Sequence, residues 1–259
     1  MGAVKTQDIP VELRGWWKHF QVAAYRHDYI RVFDDFITMT LTQYTHPTSD
    51  GFYDRKEKDA FNEMYYEVIR IMDEQTGKQG RRWFDCFGAM YETLSSNYKK
   101  SSLGQFFTPE SVVEVICLMQ LGGEIKEGAK RRILDPCSGS GRMLFIAHAH
   151  APGNYTYAID IDQLCAKMSA INMMMHGCVG EVVCGNGLFL DQDWRWAIAV
   201  NPILTHHGVP SLMKIEKDSS WLWASDQAGM LRPNVKESVF SNKKAKVKKP
   251  ASQLNIFEV

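Results

Sequence analysis

The sequence lacks the features of membrane-spanning, exported and disordered proteins. No apolar run approaches the ~20 residues that a helix needs to cross a bilayer. The first ten residues contain no apolar segment of the kind found in a secretory signal peptide. With 45% hydrophobic and 23% charged residues among 259, the chain has too much apolar side chain for a disordered protein. We therefore expect a cytoplasmic protein without membrane contact, formed of one large or two small domains.

Cysteine is scarce, and its spacing excludes the common zinc sites. The six cysteines form no Cys-x-x-Cys pair, and no set of cysteines and histidines has zinc-ligand spacing. Four of the six lie in apolar stretches, where a cysteine is usually a small buried hydrophobe. We expect reduced thiols and no metal site.

The chain also lacks net charge, with thirty basic and thirty acidic residues. A protein that binds nucleic acid non-specifically is usually more basic than this. The charge is unevenly distributed, because the last 17 residues contain five lysines and a single glutamate. Contact with DNA would therefore have to come from a local patch or from this tail.

Three regions differ in their pattern. Residues 1–100 carry aromatic and aliphatic side chains at three- and four-residue steps, which predicts an all-helical domain of three or four helices around an aromatic core. Residues 101–240 alternate short apolar runs with helical segments, which predicts an α/β domain with a mostly parallel sheet and helices on both faces. Residues 241–259 form a lysine-rich, flexible tail that ends in a short apolar peptide.

Polar or glycine-containing segments follow four predicted strands, which cover residues 132–135, 155–160, 181–184 and 196–200. These segments are the loop that begins at Asp135, then Asp160, Gly185-Asn186 and Asn201-Pro202. In an open α/β sheet, ligands bind beyond the carboxyl ends of the strands. We therefore expect all four segments to meet at one edge of the sheet.

The strongest single feature is the segment Ile133-Leu134-Asp135-Pro136-Cys137-Ser138-Gly139-Ser140-Gly141. A buried strand ends in an acid, turns through a glycine-rich loop and enters a helix. Gly139 and Gly141 allow the backbone to approach a ligand closely. No Lys-Ser/Thr follows the last glycine, so this is not a phosphate loop of the nucleotide-hydrolase type. Asp160, at the tip of the next strand, is placed to bind ribose hydroxyls.

The order of these motifs resembles the N6-adenine DNA methyltransferases, and most closely the modification subunit of type I restriction systems. The resemblance rests on Leu103-Gly104-Gln105-Phe106-Phe107-Thr108-Pro109 ahead of Asp135-Pro136-x-x-Gly139-Ser140-Gly141, followed by Ala158-Ile159-Asp160 and Asn172-Met173-x-x-His176-Gly177. A helical lead-in, Asp85-x-x-Gly88-x-x-Tyr91-Glu92, also fits. The resemblance covers about residues 83–204.

The resemblance implies a methyltransferase (Rossmann-like) fold, S-adenosylmethionine as the cofactor, DNA as the substrate, and a specificity or restriction subunit as a partner. It implies that Asp160 binds the ribose, that Ile161 and Asn186 flank the adenine ring, and that Asn201-Pro202 begins the catalytic motif. The asparagine would hold the target amine while a following aromatic stacks on a flipped base. The methionine end of the cofactor would lie against Phe107, Thr108, Pro109, Asp135, Pro136, Ser138, Gly139 and Gly141.

Two departures from the family pattern put methyl transfer in question. The catalytic motif reads Asn201-Pro202-Ile203-Leu204, without the second proline and with leucine where the family has the stacking aromatic. Stacking on an aromatic is worth about 1–3 kcal/mol per base. The family's sheet has seven strands and a separate recognition region, whereas four strands are predicted here and the fourth is left with an open edge, for which Trp221 and Trp223 are candidate covers.

These departures leave several functions open. The chain could be an adenine methyltransferase, a degenerate module that binds S-adenosylmethionine without transfer, or a scaffold. A related Asn-Pro-Pro-Tyr motif acts on protein amides, so the fold does not exclude another substrate.

The terminal peptide Gln253-Leu254-Asn255-Ile256-Phe257 resembles the peptide by which bacterial replication and repair proteins dock on the sliding clamp. This resemblance implies that Leu254, Ile256 and Phe257 would fill an apolar groove of the clamp, with Gln253 at the start of the motif. The alternative is that the peptide folds back on the core of this chain.

Overall fold

The computed structural model describes residues 9–42, 52–78, 82–97, 107–121 and 125–230. The Leu103–Phe106 part of the first motif and the tail with its terminal peptide lie outside these residues. Within them, nine α-helices and five β-strands are present. The helices are α1 (Arg14–Ala23), α2 (Tyr29–Leu41), α3 (Arg55–Met72), α4 (Cys86–Asn97), α5 (Glu110–Leu121), α6 (Arg142–His150), α7 (Gln163–Met175), α8 (Leu204–His207) and α9 (Trp221–Gln227). The strands are β1 (Arg132–Asp135), β2 (Tyr155–Asp160), β3 (Val179–Gly185), β4 (Trp194–Val200) and β5 (Leu212–Ile215).

The first four helices form the helical region, as the spacing of apolar residues predicts. Asp28 caps α2 by accepting hydrogen bonds from the backbone N–H groups of Ile30 and Arg31. Asp54 and Glu57 form a reciprocal capping box at the start of α3. The buried sides of these helices meet in an aromatic core in which the rings of Trp16 and Phe20 stack 4.8 Å apart.

The helical region shares its core with the α/β part of the chain. Cys165, Met168 and Ile171 of α7 belong to the same buried apolar cluster as the aromatic residues of the helical region. Lys167, also on α7, donates to the Asp34 carboxylate of α2 at 2.7 Å. One buried apolar core contains residues from both sides of position 100. The domain boundary there therefore stays a prediction.

The sheet has the order β1-β2-β3-β4-β5, and it is mixed rather than mostly parallel. The first three strands are parallel, and α6 and α7 form the crossovers between them. Strand β4 pairs antiparallel with β3, and β5 pairs antiparallel with β4. The α/β class is therefore confirmed, but the expected direction of the fourth strand is wrong.

A physical reason for this direction lies in the lengths of the linkers. Eight residues, 186–193, connect β3 to β4, and they contain no helix. A parallel connection needs a crossover of a dozen or more residues, usually with a helix. The linkers before β2 and before β3 meet that requirement, whereas residues 186–193 can only return the chain antiparallel.

Residues 205–230 close the edge of β4 and one face of the sheet. The expectation of no strand after residue 204 is wrong, because β5 pairs with β4 along Leu212–Ile215. The rings of Trp221 and Tyr157 lie 4.4 Å apart on the face of the sheet, and Trp223 meets Trp194 at the start of β4. The other face is covered by α5, α6 and α7.

Among the described residues, no helix is long and apolar enough to cross a membrane. No group of three or more potential metal ligands occurs in the same part of the chain. Five of the six cysteines are buried, and Cys137 is exposed in the glycine-rich loop.

Candidate cofactor site

A cavity of about 470 Å³ lies beyond the carboxyl ends of β1, β2 and β3. Nine of the eleven residues assigned to the cofactor from the sequence line it, and they come from four separate segments of the chain. They are Phe107, Thr108, Asp135, Pro136, Ser138, Gly139, Asp160, Ile161 and Asn186. Pro109 and Gly141 do not line it: Pro109 immediately precedes α5, and Gly141 is the N-cap residue of α6.

Backbone conformations that favour glycine shape the loop between β1 and α6. Gly139 has a φ of +56°, and a Cβ there would lie 3.0 Å from the ring of Phe107. Gly141 has a φ of +84°, and a Cβ would lie 3.1 Å from the Cα of Ser169 on α7. Both positions combine a left-handed backbone with close approach, so a side chain at either one would strain the wall of the cavity.

Asp160 fastens this loop to the end of β2. Its Oδ2 accepts from the backbone N–H of Gly139 at 2.7 Å, and its Oδ1 accepts from that of Asp162 at 2.8 Å. Burial raises the pKa of Asp160, and these two hydrogen bonds oppose the rise. Each carboxylate oxygen accepts two hydrogen bonds. The group can therefore hold the loop and still accept from the hydroxyls of a ligand.

Asp135 brings a second buried acid to the same cavity. Its Oδ1 accepts from the backbone N–H of Cys137 at 3.1 Å. Burial raises the pKa of Asp135 to about 6, and the nearby charge of Asp160 adds to the rise. Because ionisation of a buried carboxylate is costly, a positively charged ligand beside it would strongly favour its ionised form.

Apolar side chains form the outer part of the cavity. Ile161 and Leu188 both line it and are 51% and 77% exposed, so they offer apolar surface to a ligand. Asn186 accepts from the backbone N–H of Leu188 at 3.0 Å, which shapes the turn after β3. Arg195 of β4 donates to the carbonyl of Ile161 at 2.7 Å and thereby holds the turn after β2 in place.

Asn201 lies at the opposite edge of the sheet from the cavity. Its neighbour Val200 pairs with Gly180 near the start of β3, whereas the cavity residue Asn186 follows the end of β3. The length of a seven-residue strand, roughly 20 Å, separates the two edges. The expectation that all four segments meet at one edge is therefore wrong for Asn201-Pro202, because β4 runs antiparallel.

The amide of Asn201 makes three hydrogen bonds within the chain, which use both of its N–H donors. Its Nδ2 donates to the carbonyls of Met174 and Cys178 at 3.0 and 2.7 Å, and its Oδ1 accepts from Ser211 at 2.9 Å. The residue is completely buried, and its φ is +53°. Asparagine tolerates this left-handed conformation better than most residues. In this arrangement, Asn201 joins the end of α7 to the segment before β5.

The sequence interpretation did not assign Arg142 and Arg195 to the site. Arg142 follows Gly141 directly, yet its side chain is buried and donates to the carbonyl of Thr108 at 2.7 Å. Its partners lie 34 or more residues away in the sequence, so no local pattern marks it. The available signal was an arginine directly before the apolar run at residues 143–147.

Comparison with known proteins gives a family match and a curated relative. Residues 82–205 match the family described as N-6 DNA Methylase. The chain is 25% identical over 139 residues to the type I restriction enzyme MjaVII methylase subunit of Methanocaldococcus jannaschii, covering 50% of this chain and 23% of that protein. The chain thus spans about a quarter of this curated relative.

Two solved structures show partial similarity. One is a class I S-adenosylmethionine-dependent methyltransferase from Listeria monocytogenes, with a TM-score of 0.40, 12% identity and coverage of 65% of this chain and 52% of that one. The other is the type I restriction-modification methyltransferase subunit from Streptococcus thermophilus, with a TM-score of 0.36, 19% identity and coverage of 66% and 38%.

Proposed function

Because residues 82–205 match the family described as N-6 DNA Methylase, we propose that the cavity beyond β1, β2 and β3 binds S-adenosylmethionine. One observation carries the proposal. Nine residues that the family resemblance assigns to this cofactor come from four separate segments, and they line a single cavity. Its volume of about 470 Å³ falls within the roughly 300–1,000 Å³ typical of small-molecule sites.

The chemistry of the cavity suits the parts of this cofactor. Asp135 offers a buried carboxylate to the cationic methionine end, and a positive charge there would favour its ionised form. Asp160 offers two oxygens to the ribose hydroxyls. Ile161 and Leu188 offer apolar surface to the adenine ring.

We further propose that the chain is the cofactor-binding part of a DNA adenine-methylating system and does not transfer the methyl group alone. Asn201 is buried, makes three hydrogen bonds within the chain and lies about a strand length from the cavity. Another subunit would then supply the groups that hold the target adenine and contact the DNA.

Methyl transfer by this chain itself is the second candidate. The family match favours it, because residues 82–205 include Asn201-Pro202-Ile203-Leu204. It requires the end of β4 to lie beside the cavity, which is a different strand arrangement from the one described here.

Calorimetric titration with S-adenosylmethionine tests the first proposal. We expect micromolar binding by the wild-type chain and at least a tenfold loss of affinity in Asp160→Asn. Asp160 now accepts hydrogen bonds from two backbone N–H groups. The N–H₂ of an asparagine amide would face one of these N–H groups, and two donors cannot pair. Asp218→Asn is the matched control, since this acid is exposed and does not line the cavity. Absence of binding by the folded wild-type chain would refute the proposal.

Incubation with unmethylated DNA separates the two candidates. The chain is supplied with labelled S-adenosylmethionine, and the products are resolved as nucleosides by mass spectrometry. We expect no N6-methyladenine from the chain alone. Product that disappears in both Asp160→Asn and a folded Asn201→Ala variant would instead establish the second candidate.

A further inference from the structure

A fully buried carboxylate, Asp85, joins the helical region to the wall of the cavity. Its Oδ1 accepts from the backbone N–H of Gly88 at 2.9 Å and from the amide of Asn172 at 2.8 Å. Its Oδ2 accepts from the Ser140 hydroxyl at 2.6 Å and from Nε of Arg142 at 2.8 Å. The four donors belong to α4, α7, the glycine-rich loop and α6. They use the acceptor capacity of the carboxylate completely.

Arg142 extends this network to the opposite wall. Its Nη1 donates to the Thr108 carbonyl at 2.7 Å, and its guanidinium carbon lies 5.8 Å from the centre of the Phe107 ring. Because Arg142 is 4% exposed, its charge needs compensation, which comes from the fully buried carboxylate of Asp85 and from Glu92, whose Oε1 accepts from Nη2 at 3.4 Å. Asp85 therefore connects the glycine-rich loop to the Phe107-Thr108 segment without lining the cavity itself.

Gly88 supports this role of Asp85, because a Cβ at position 88 would collide with the Asp85 carboxylate. The acids that cap α2 and α3 have ordinary side chains three residues later, Arg31 and Glu57. An aspartate that only capped a helix would not need glycine at that place. The Asp85-x-x-Gly88 spacing fits a carboxylate that caps the helix and also accepts hydrogen bonds from Ser140 and Arg142.

We propose that Asp85 is a positioning residue that sets the distance between the two walls of the cavity by orienting Ser140 and Arg142, and that it thereby determines the affinity for the cofactor. The affinity part of this inference rests on the proposed binding of S-adenosylmethionine. Asp85 acts through residues that line the cavity and does not touch the ligand.

Asp85→Asn, compared with Asp28→Asn, tests the proposal. Asparagine caps helices about as well as aspartate, so capping survives in both variants. At position 85, however, the new N–H₂ must face two of the four donors that now meet the carboxylate. We expect S-adenosylmethionine to bind Asp85→Asn at least tenfold more weakly. Asp28→Asn should bind within twofold of the wild type.

The thiol of Cys137 provides a readout that a purely structural role of Asp85 would not change. Cys137 is the exposed cysteine of the glycine-rich loop, and the other five are buried. In the wild type, we expect a disulfide reagent to label one thiol quickly and S-adenosylmethionine to slow the labelling. In folded Asp85→Asn, the labelling rate without cofactor should rise several-fold, whereas Asp28→Asn should keep the wild-type rate.

Gly88→Ala keeps the inference testable if Asp85→Asn does not fold. Alanine favours a helix more than glycine does, which offsets part of the capping that α4 loses when the Asp85 carboxylate leaves the N–H of residue 88. Its Cβ would displace the Asp85 carboxylate, and we expect the same weaker binding and faster Cys137 labelling. A folded Asp85→Asn or Gly88→Ala variant with wild-type labelling and affinity would overturn the inference.

If the wild-type chain does not bind S-adenosylmethionine, the proposed function fails and so does the affinity part of the inference. The labelling rates of Cys137 without cofactor then still decide whether Asp85 orients the glycine-rich loop.

Discussion

The two edges of the sheet use polar residues in opposite ways. At the cavity edge, Asp135 and Asp160 are buried acids whose pKa values are raised, and both face a space of ligand size. At the other edge, Asn201 is completely buried, and its amide is used in hydrogen bonds between α7 and the segment before β5. A polar residue after a strand thus serves binding at one edge and stability at the other. A substitution of Asn201 should therefore lower stability and leave affinity unchanged, whereas a substitution of Asp135 should lower affinity and raise the stability of the ligand-free chain.

The largest expected effect is on stability, in Asn201→Ala. The substitution removes three side-chain hydrogen bonds and leaves buried backbone groups of Met174, Cys178 and Ser211 without these partners. Each such group costs about 1–3 kcal/mol. We expect the free energy of unfolding in urea to fall by about 3 kcal/mol or more, with the affinity for S-adenosylmethionine within twofold of the wild type.

Asn201→Gly is the matched control, because glycine adopts the φ of +53° without strain. It should lose nearly as much stability if the hydrogen bonds dominate. A folded Asn201→Ala variant of unchanged stability that has lost affinity would contradict the assignment of Asn201 to a stabilising role.

At the cavity edge, Asp135→Asn should raise the stability of the ligand-free chain and lower its affinity for the cofactor. Burial raises the pKa of Asp135 to about 6, so the ionised form costs stability at neutral pH. Asparagine can still accept from Cys137 but carries no charge to desolvate. We expect the ligand-free chain to gain about 1–2 kcal/mol in urea unfolding at pH 7. Its affinity for S-adenosylmethionine should fall about tenfold, because a cationic group of the cofactor loses its counter-charge. Loss of both stability and affinity would show that the two edges do not differ in this way.

The pH dependence of stability sharpens the same comparison. The folded-state pKa of Asp135, about 6, lies above the usual value near 4, so the folded chain binds this proton more tightly. The contribution of Asp135 to stability is therefore present at pH 4 and is lost as the pH rises through about 6. We expect the stability difference between Asp135→Asn and the wild type to shrink from pH 7 to pH 4. A constant difference across that range would mean that the pKa of Asp135 is not raised.

The smallest expected effect is in Leu204→Tyr, which restores an aromatic to the Asn-Pro motif. Leu204 starts α8 at the edge opposite the cavity, so the new ring cannot stack on a base beside the cofactor in this arrangement. We expect no change in S-adenosylmethionine affinity and no N6-methyladenine. Methyl transfer gained by this substitution would instead show that the end of β4 lies beside the cavity.

Much of the fold follows from local patterns in the sequence. The spacing of aromatic residues such as Trp17, Phe20 and Phe33 predicts three or four helices in the helical region, where the structure has four, and β1, β2 and β3 are found where short apolar runs predict them. Strand β5 was not predicted, because Met213 and Lys214 are exposed and the run is four residues long. Its strand conformation depends on pairing with β4, which no local pattern records.

The candidate site divides in the same way. Asp135, Gly139 and Asp160 are marked in the sequence because each lies at the end of a strand or in the glycine-rich loop. Arg195 is not marked, because it acts through the Ile161 carbonyl, 34 residues away.

The sequence by itself determined the helical region, the three parallel strands and the glycine-rich loop. Each of these elements depends on residues close to it along the chain, and the parallel strands depend also on linkers long enough to hold a helix. The tertiary structure decided the direction of β4 and the pairing of β5. A linker of eight residues cannot cross over to a parallel position, so β4 returns antiparallel beside β3 and carries Asn201 away from the cavity. The same motif residue thus becomes a buried link between elements, because strand pairing determines which edge of the sheet a residue reaches.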